Sequence, residues 1–147
     1  MATIERSVDT EWTGGLSDGE GIVSFLSGAT GALPVTWASR VEDPAGKTSP
    51  EELLAASLAS CFSMNLGHVL ESEYARPQGL NVKATCRATK DQHGFKVDAI
   101  DLEVRGKVPG IDAGAFEAAV AKAVETCPVG IVLVKGLEIT HSATLEG

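Results

Sequence analysis

Thr48-Ser49-Pro50-Glu51-Glu52-Leu53-Leu54-Ala55-Ala56-Ser57-Leu58-Ala59-Ser60-Cys61-Phe62-Ser63-Met64 opens a helix and sets the centre of the fold. Ser49 suits the N-cap. Pro50 suits the first turn, where its missing N–H is not needed, and Glu52 stands at the third position of a capping box. From Leu53 to Leu70 no residue carries a formal charge, a length that matches a membrane span. Ser57, Ser60, Ser63, Asn65, Gly67 and His68 interrupt the stretch with polar or small groups, and the chain has no second one like it. The reading is a helix buried in a globular core. It runs to about Ser72 and is closed by Arg76-Pro77, because the residue before a proline avoids the helical region.

Upstream, Thr3 to Trp12 and Gly21 to Leu26 are strand-like and separated by the turn Gly14-Gly15-Leu16-Ser17-Asp18-Gly19, with Pro34 to Val41 continuing the meander. Downstream, Leu80 to Ala88 and Phe95 to Arg105 are β-branched and alternating, and Lys90-Asp91-Gln92-His93-Gly94 joins them as a hairpin. Asp112 caps a second helix from Ala113 to about Glu125, with Phe116, Ala119, Val120, Ala123 and Val124 at helical spacing. Leu137 to Leu145 closes as a strand. Grouped strands around two helices predict an α+β fold, with the helices on strongly twisted antiparallel sheet. Residues 1–147 read as a single domain with one substantial core.

Composition narrows the function classes. The net charge is −8, which disfavours a phosphate-binding surface, so no nucleic-acid partner is expected. The first ten residues carry Glu5, Arg6 and Asp9 without a long apolar run, which is not the pattern of a signal peptide. Three cysteines, an odd number, do not make a secreted disulfide framework. A reducing cytoplasm is the expected location, with no membrane partner.

The cysteines carry the candidate chemistry. Only a thiolate attacks a peroxide, and an ordinary cysteine ionises at a pH of about 8.5. Cys61 lies roughly 16 Å past the helix start, at about 1.5 Å per residue. That is beyond the reach of the helix N-terminus, whose effect fades within a turn. A functional Cys61 therefore needs a cation delivered from elsewhere, and arginine suits because it stays charged when partly buried. On spacing alone a structural, buried cysteine is the commoner reading of Cys61, and it is the reading of Cys86 in the strand Val82–Arg87. Cys127 sits in Glu125-Thr126-Cys127-Pro128-Val129-Gly130, after a helix and before a proline, where a backbone shift can carry its sulfur to another thiol.

Metal and hydrolase readings fare worse. His68, His93 and His141 are scattered over a helix, a hairpin and a strand, and no Cys-x-x-Cys or His-x-x-x-His pair seeds a zinc site. His68 is two helical turns beyond Cys61, about 10 Å, too far for direct proton transfer. No metal and no cofactor is expected.

Taken together, the motifs resemble the OsmC/Ohr family of organic-hydroperoxide-reducing proteins along nearly the whole chain. The resemblance rests on Glu11-Trp12-Thr13-Gly14, Gly19-Glu20-Gly21, Ser39-Arg40-Val41-Glu42, the helix from Ser49 through Cys61 to Met64, Val108-Pro109-Gly110-Ile111-Asp112, Phe116, Cys127-Pro128-Val129 and Leu137-Glu138-Ile139-Thr140. The N-terminal tryptophan, the Ser-Arg pair before the helix, and Leu16 where Ohr proteins have an arginine after Gly-Gly resemble the OsmC branch.

What the resemblance implies is a thiol peroxidase built as an intertwined homodimer. Cys61 would attack the organic hydroperoxide and become a sulfenic acid, and Cys127 would resolve it to a disulfide. Arg40 matches the activating arginine and Glu51 the glutamate that pairs with it. An external dithiol, of the lipoyl type in Ohr relatives, would restore the thiols. On the residues alone, Arg40 is a surface strand residue and Glu51 a helix-start charge favoured by the dipole. Glu51 and Cys61, ten residues apart on one helix, are separated by about 15 Å. Glu51, and with it Arg40, is therefore expected to complete the site of a partner subunit. Leu54, Leu58, Phe62 and Met64 are expected as apolar walls, with core packing their default role. The alternatives are a non-catalytic protein of the same fold binding a small hydrophobic ligand, and a structural stress protein whose cysteines merely pack.

Overall fold

The computed structural model describes residues 2–147, which form two compact units, 2–53 and 54–147. In the first unit, β1 (Val8–Thr13), β2 (Glu20–Phe25) and β3 (Ala32–Val35) make an antiparallel meander in that order. Trp12 pairs with Gly21, and Ile22 pairs with Pro34 on the edge strand, where a proline costs no central ladder bond.

The strand expected over Pro34 to Val41 ends at Val35. Thr36 instead N-caps a short helix, α1 (Trp37–Val41). Thr36 Oγ1 accepts the Ser39 N–H at 3.0 Å while Ser39 Oγ accepts the Thr36 N–H at 3.0 Å. These reciprocal bonds satisfy helix-start donors that a strand would have left to a neighbour. Ser39 is buried, and its hydroxyl also reaches the Thr48 carbonyl at 2.9 Å, tying α1 to the chain two residues before the long helix.

That helix, α2 (Pro50–Glu73), starts as expected: the Glu52 N–H donates to Ser49 Oγ at 3.1 Å. The capping box is only half formed. The Glu52 carboxylate takes the Thr48 hydroxyl at 2.6 Å instead.

In the second unit, β4 (Gly79–Asp91) and β5 (Gly94–Lys107) form the hairpin, with α3 (Ala113–Thr126), α4 (Pro128–Leu133) and β6 (Glu138–Leu145) following. The sheet order is β4-β5-β6. Three of its features sharpen the sequence reading. The hairpin turns at Gln92-His93, with Gly94 at a φ of 121°, a backbone region open to glycine. Asp112 caps α3 through the Ala115 N–H at 2.8 Å. Finally, β6 pairs parallel to β5, so the sheet is mixed where an antiparallel one was expected. A parallel pair needs a long crossover, which α3 and α4 supply.

The core of this unit is one contiguous cluster. Leu58, Phe62, Leu66 and Leu70 come from α2 at four-residue spacing, Ile100, Leu102 and Val104 from β5 at two-residue spacing, and Phe116, Ala119, Val120 and Ala123 from α3. Gly106 leaves room for the Phe116 ring, since a Cβ there would stand 2.5 Å from the ring's Cζ.

Candidate active site

The two cysteines singled out by the sequence meet inside the second unit. Cys61 is half-buried on α2, between the core stripe of Leu58 and Phe62 and the exposed stripe of Ser57, Ser60, Met64 and His68. Cys127 is fully buried and joins two helices: it is the C-cap of α3 and the N-cap of α4, in extended conformation at φ −67° and ψ 118°. The sequence reading took this region as a turn. Pro128 at the first position starts a helix there instead, because its fixed φ is already helical. The Cys127 S–H donates to Cys61 Sγ at 3.3 Å. A disulfide would shorten that separation to about 2.05 Å.

Burial pushes the Cys127 thiol up from its ordinary range. The Gly130 amide at the start of α4 pulls the other way, the Cys61 thiol adds to the rise, and the Val129 amide opposes it. Cys127 therefore holds its proton at neutral pH, while Cys61 presents its sulfur as the acceptor. Cys86 lies half-buried on β4, its Cα paired with Ile100.

One polar side chain missed by the sequence reading braces the pair. Asn65, one turn beyond Cys61, donates from Nδ2 to the Ala123 carbonyl at 2.9 Å and to Thr126 Oγ1 at 2.8 Å, both in the last turn of α3. Its visible signal was only an amide four residues from the cysteine in an otherwise apolar helix.

Arg40 and Glu51 meet inside the first unit. Arg40 Nε and Nη2 donate to Glu51 Oε1 at 2.9 and 2.7 Å, with Nε 3.2 Å from Oε2, a forked ion pair. Glu51 is buried and Arg40 keeps 29% of its side chain exposed. Its guanidinium carbon also stands 5.8 Å from the centre of the Trp37 ring, a cation–π distance. Around Arg40, a pocket of about 260 Å³ is walled by Trp12, Leu16, Val35, Trp37 and Pro50. Of the residues expected to flank Cys61, with core as their default, Leu58 and Phe62 are core at 1% and 0% exposure, and Met64 is 75% exposed.

Among the described residues, no group of three or more histidine, cysteine, aspartate or glutamate side chains is gathered to hold a metal.

A family model described as OsmC-like protein matches residues 43–142. The chain is 37% identical over 131 residues to the peroxiredoxin OsmC of Escherichia coli K12, covering 89% of this chain and 91% of that one. Among solved structures, an organic hydroperoxide resistance protein OsmC from Legionella pneumophila aligns with a TM-score of 0.72 at 23% identity, over 94% and 96% of the two chains. OhrB of Bacillus subtilis aligns with a TM-score of 0.71 at 22% identity, over 95% and 98%. These last two likenesses speak for the fold, and the family match and the Escherichia coli relative speak for descent: the chain belongs to the OsmC-like family.

Proposed function

We propose that this protein is a cytoplasmic thiol peroxidase that reduces organic hydroperoxides to alcohols. The observation that carries the reading is the pair of reduced sulfurs at 3.3 Å, one half-exposed and one buried as its hydrogen-bond donor. The relationship to a protein named a peroxiredoxin supports a peroxidase.

The Cys61 thiolate attacks the terminal oxygen of the hydroperoxide. The O–O bond breaks, the alkoxide leaves and takes a proton as the alcohol, and Cys61 becomes a sulfenic acid. Cys127 then attacks the Cys61 sulfur and loses its proton, the hydroxyl leaves as water, and a disulfide remains. An external dithiol reduces that disulfide by exchange. Arg40, held in its fork by Glu51, supplies the positive charge that favours the Cys61 thiolate. The apolar walls around Arg40 suit a hydroperoxide with a hydrocarbon body rather than hydrogen peroxide.

The charged pair and the thiol pair act across a homodimer in this reading. Glu51 and Cys61 are both on α2, separated by about 15 Å of helix. The same helix is long and apolar enough to cross a membrane by length and composition, yet only 33% of that stretch is buried within the chain. Trp12, Ile22 and Leu26 are likewise exposed. A second copy covering these surfaces would bring Arg40 of one protomer to Cys61 of the other.

Rapid-quench thiol counting tests the chemistry. The first thiol is expected to disappear at least about tenfold faster with cumene hydroperoxide than with hydrogen peroxide, as expected for apolar walls. Disulfide closure is expected to be independent of peroxide concentration. It should quicken steadily as pH rises from 7 toward 9, because burial raises the Cys127 thiol and its small thiolate fraction still grows with pH. Equal rates with the two peroxides would remove the organic-substrate reading, and no thiol loss with either would remove the peroxidase.

A further inference from the structure

Asn65 has a place in the redox cycle that the two cysteines alone do not explain. It lies four residues beyond Cys61 on α2, so its side chain projects one turn away on nearly the same face. Its amide spans the last turn of α3, with Ala123 at the turn's start and Thr126 immediately before Cys127. The orientation of the amide is fixed chemically, since the Ala123 carbonyl accepts only and must face Nδ2. Thr126 Oγ1 in turn donates to the Lys122 carbonyl at 2.9 Å, which leaves its lone pairs directed to Asn65. Lys122 of α3 also pairs with Glu73 at the far end of α2, twelve residues past Cys61, and the core members Leu58, Phe62 and Ala123 add packing that is non-directional.

We infer that Asn65 is a positioning residue for disulfide closure: it docks the Cys127-bearing end of α3 on the Cys61 helix and keeps the two sulfurs within bonding reach. The inference rests on the peroxidase reading for its biological sense, but the geometry it concerns is that of the dithiol itself. Two thiols held at a short separation have a high effective concentration toward each other. Releasing the clamp lets the end of α3 move, gives the dithiol more conformations, and lowers that concentration. Peroxide attack, which involves Cys61 before Cys127 acts, is left alone.

The test uses the full chain as wild type, Asn65→Ala and Thr126→Val. Each is equilibrated in dithiothreitol redox buffers, and the Cys61–Cys127 disulfide is quantified by mass. In Asn65→Ala the disulfide is expected to be about tenfold less favoured, a midpoint about 30 mV less negative. Thr126→Val, which leaves the Ala123 bond, is expected to give a smaller shift of about threefold. With one equivalent of cumene hydroperoxide, Asn65→Ala should lose its first thiol at the wild-type rate, while the Cys61 sulfenic acid, trapped with dimedone, persists about tenfold longer. A role confined to stability would lower Tm and leave the redox midpoint in place, and that result overturns the inference. Should Asn65→Ala not fold, Thr126→Val decides by its own midpoint, since Thr126 is exposed. If the wild type consumes no peroxide, the peroxidase reading fails, while the dithiothreitol equilibrium still judges Asn65.

Discussion

Serine at position 61 is expected to abolish peroxide reduction, by a factor on the order of 10³ or more, because a hydroxyl is scarcely ionised where a thiol supplies thiolate. The substitution changes one atom at a half-buried site, so the fold should persist. Cys127→Ser gives the informative contrast. Its first turnover should remain, one equivalent of hydroperoxide per chain, and the sulfenic acid on Cys61 should accumulate for want of a resolving thiol. Steady turnover with a dithiol should then collapse. The test is single-turnover peroxide consumption with dimedone trapping of both variants. Retained consumption in Cys61→Ser, with loss in Cys127→Ser, would reverse the two roles.

Arg40→Met is expected to slow peroxide attack about 10- to 1000-fold, the range by which an adjacent guanidinium shifts an anion's ionisation. Arg40→Lys should recover only part, since an ammonium keeps the charge but not the forked hold on Glu51. The decisive form of this experiment mixes the slowed Arg40→Met protein with the inactive Cys61→Ser protein. A dimer of one Arg40→Met chain and one Cys61→Ser chain has one site with an intact Arg40 and Cys61 if the site is built across subunits, and none if it is built within one chain. Random mixing should then restore about a quarter of the wild-type rate, because half of the dimers are mixed and each holds one of two sites. No recovery in verified mixed dimers would put the arginine and the cysteine of one chain together.

The parts of the fold that were legible in the sequence are those whose signals are local. Ser49-Pro50 and eighteen uncharged residues announce α2, Asp112 announces α3, and alternation on both sides of His93-Gly94 announces the hairpin. Elements held by distant partners were not legible. Helix α1 depends on Ser39 reaching Thr48, nine residues on, and its Trp37 and Val41 favour strand by propensity. Helix α4 is six residues long and has no side-chain cap bond to mark its start. The parallel direction of β6 is invisible because alternation with period two is the same in either direction.

The site divides in the same way. Cys61, Cys127, Arg40 and Glu51 were brought forward together by resemblance, since the thiols are 66 residues apart and nothing local pairs them. Leu58 and Phe62 took the core role that was their default, and the apolar residues around Arg40 were not singled out because they come from separate stretches of chain. Trp37 stands three residues before Arg40, one helical turn, a spacing readable only once α1 is known to be a helix. Asn65 was read merely as a polar interruption of an apolar helix, because its partners lie 58 and 61 residues away.

The most direct measurement is free-thiol counting with peptide mapping on fully reduced protein, before and after one equivalent of cumene hydroperoxide. The account predicts the loss of two thiols, a Cys61–Cys127 linkage in the digest, and Cys86 still a thiol. Three unchanged thiols, or a linkage through Cys86, would contradict it.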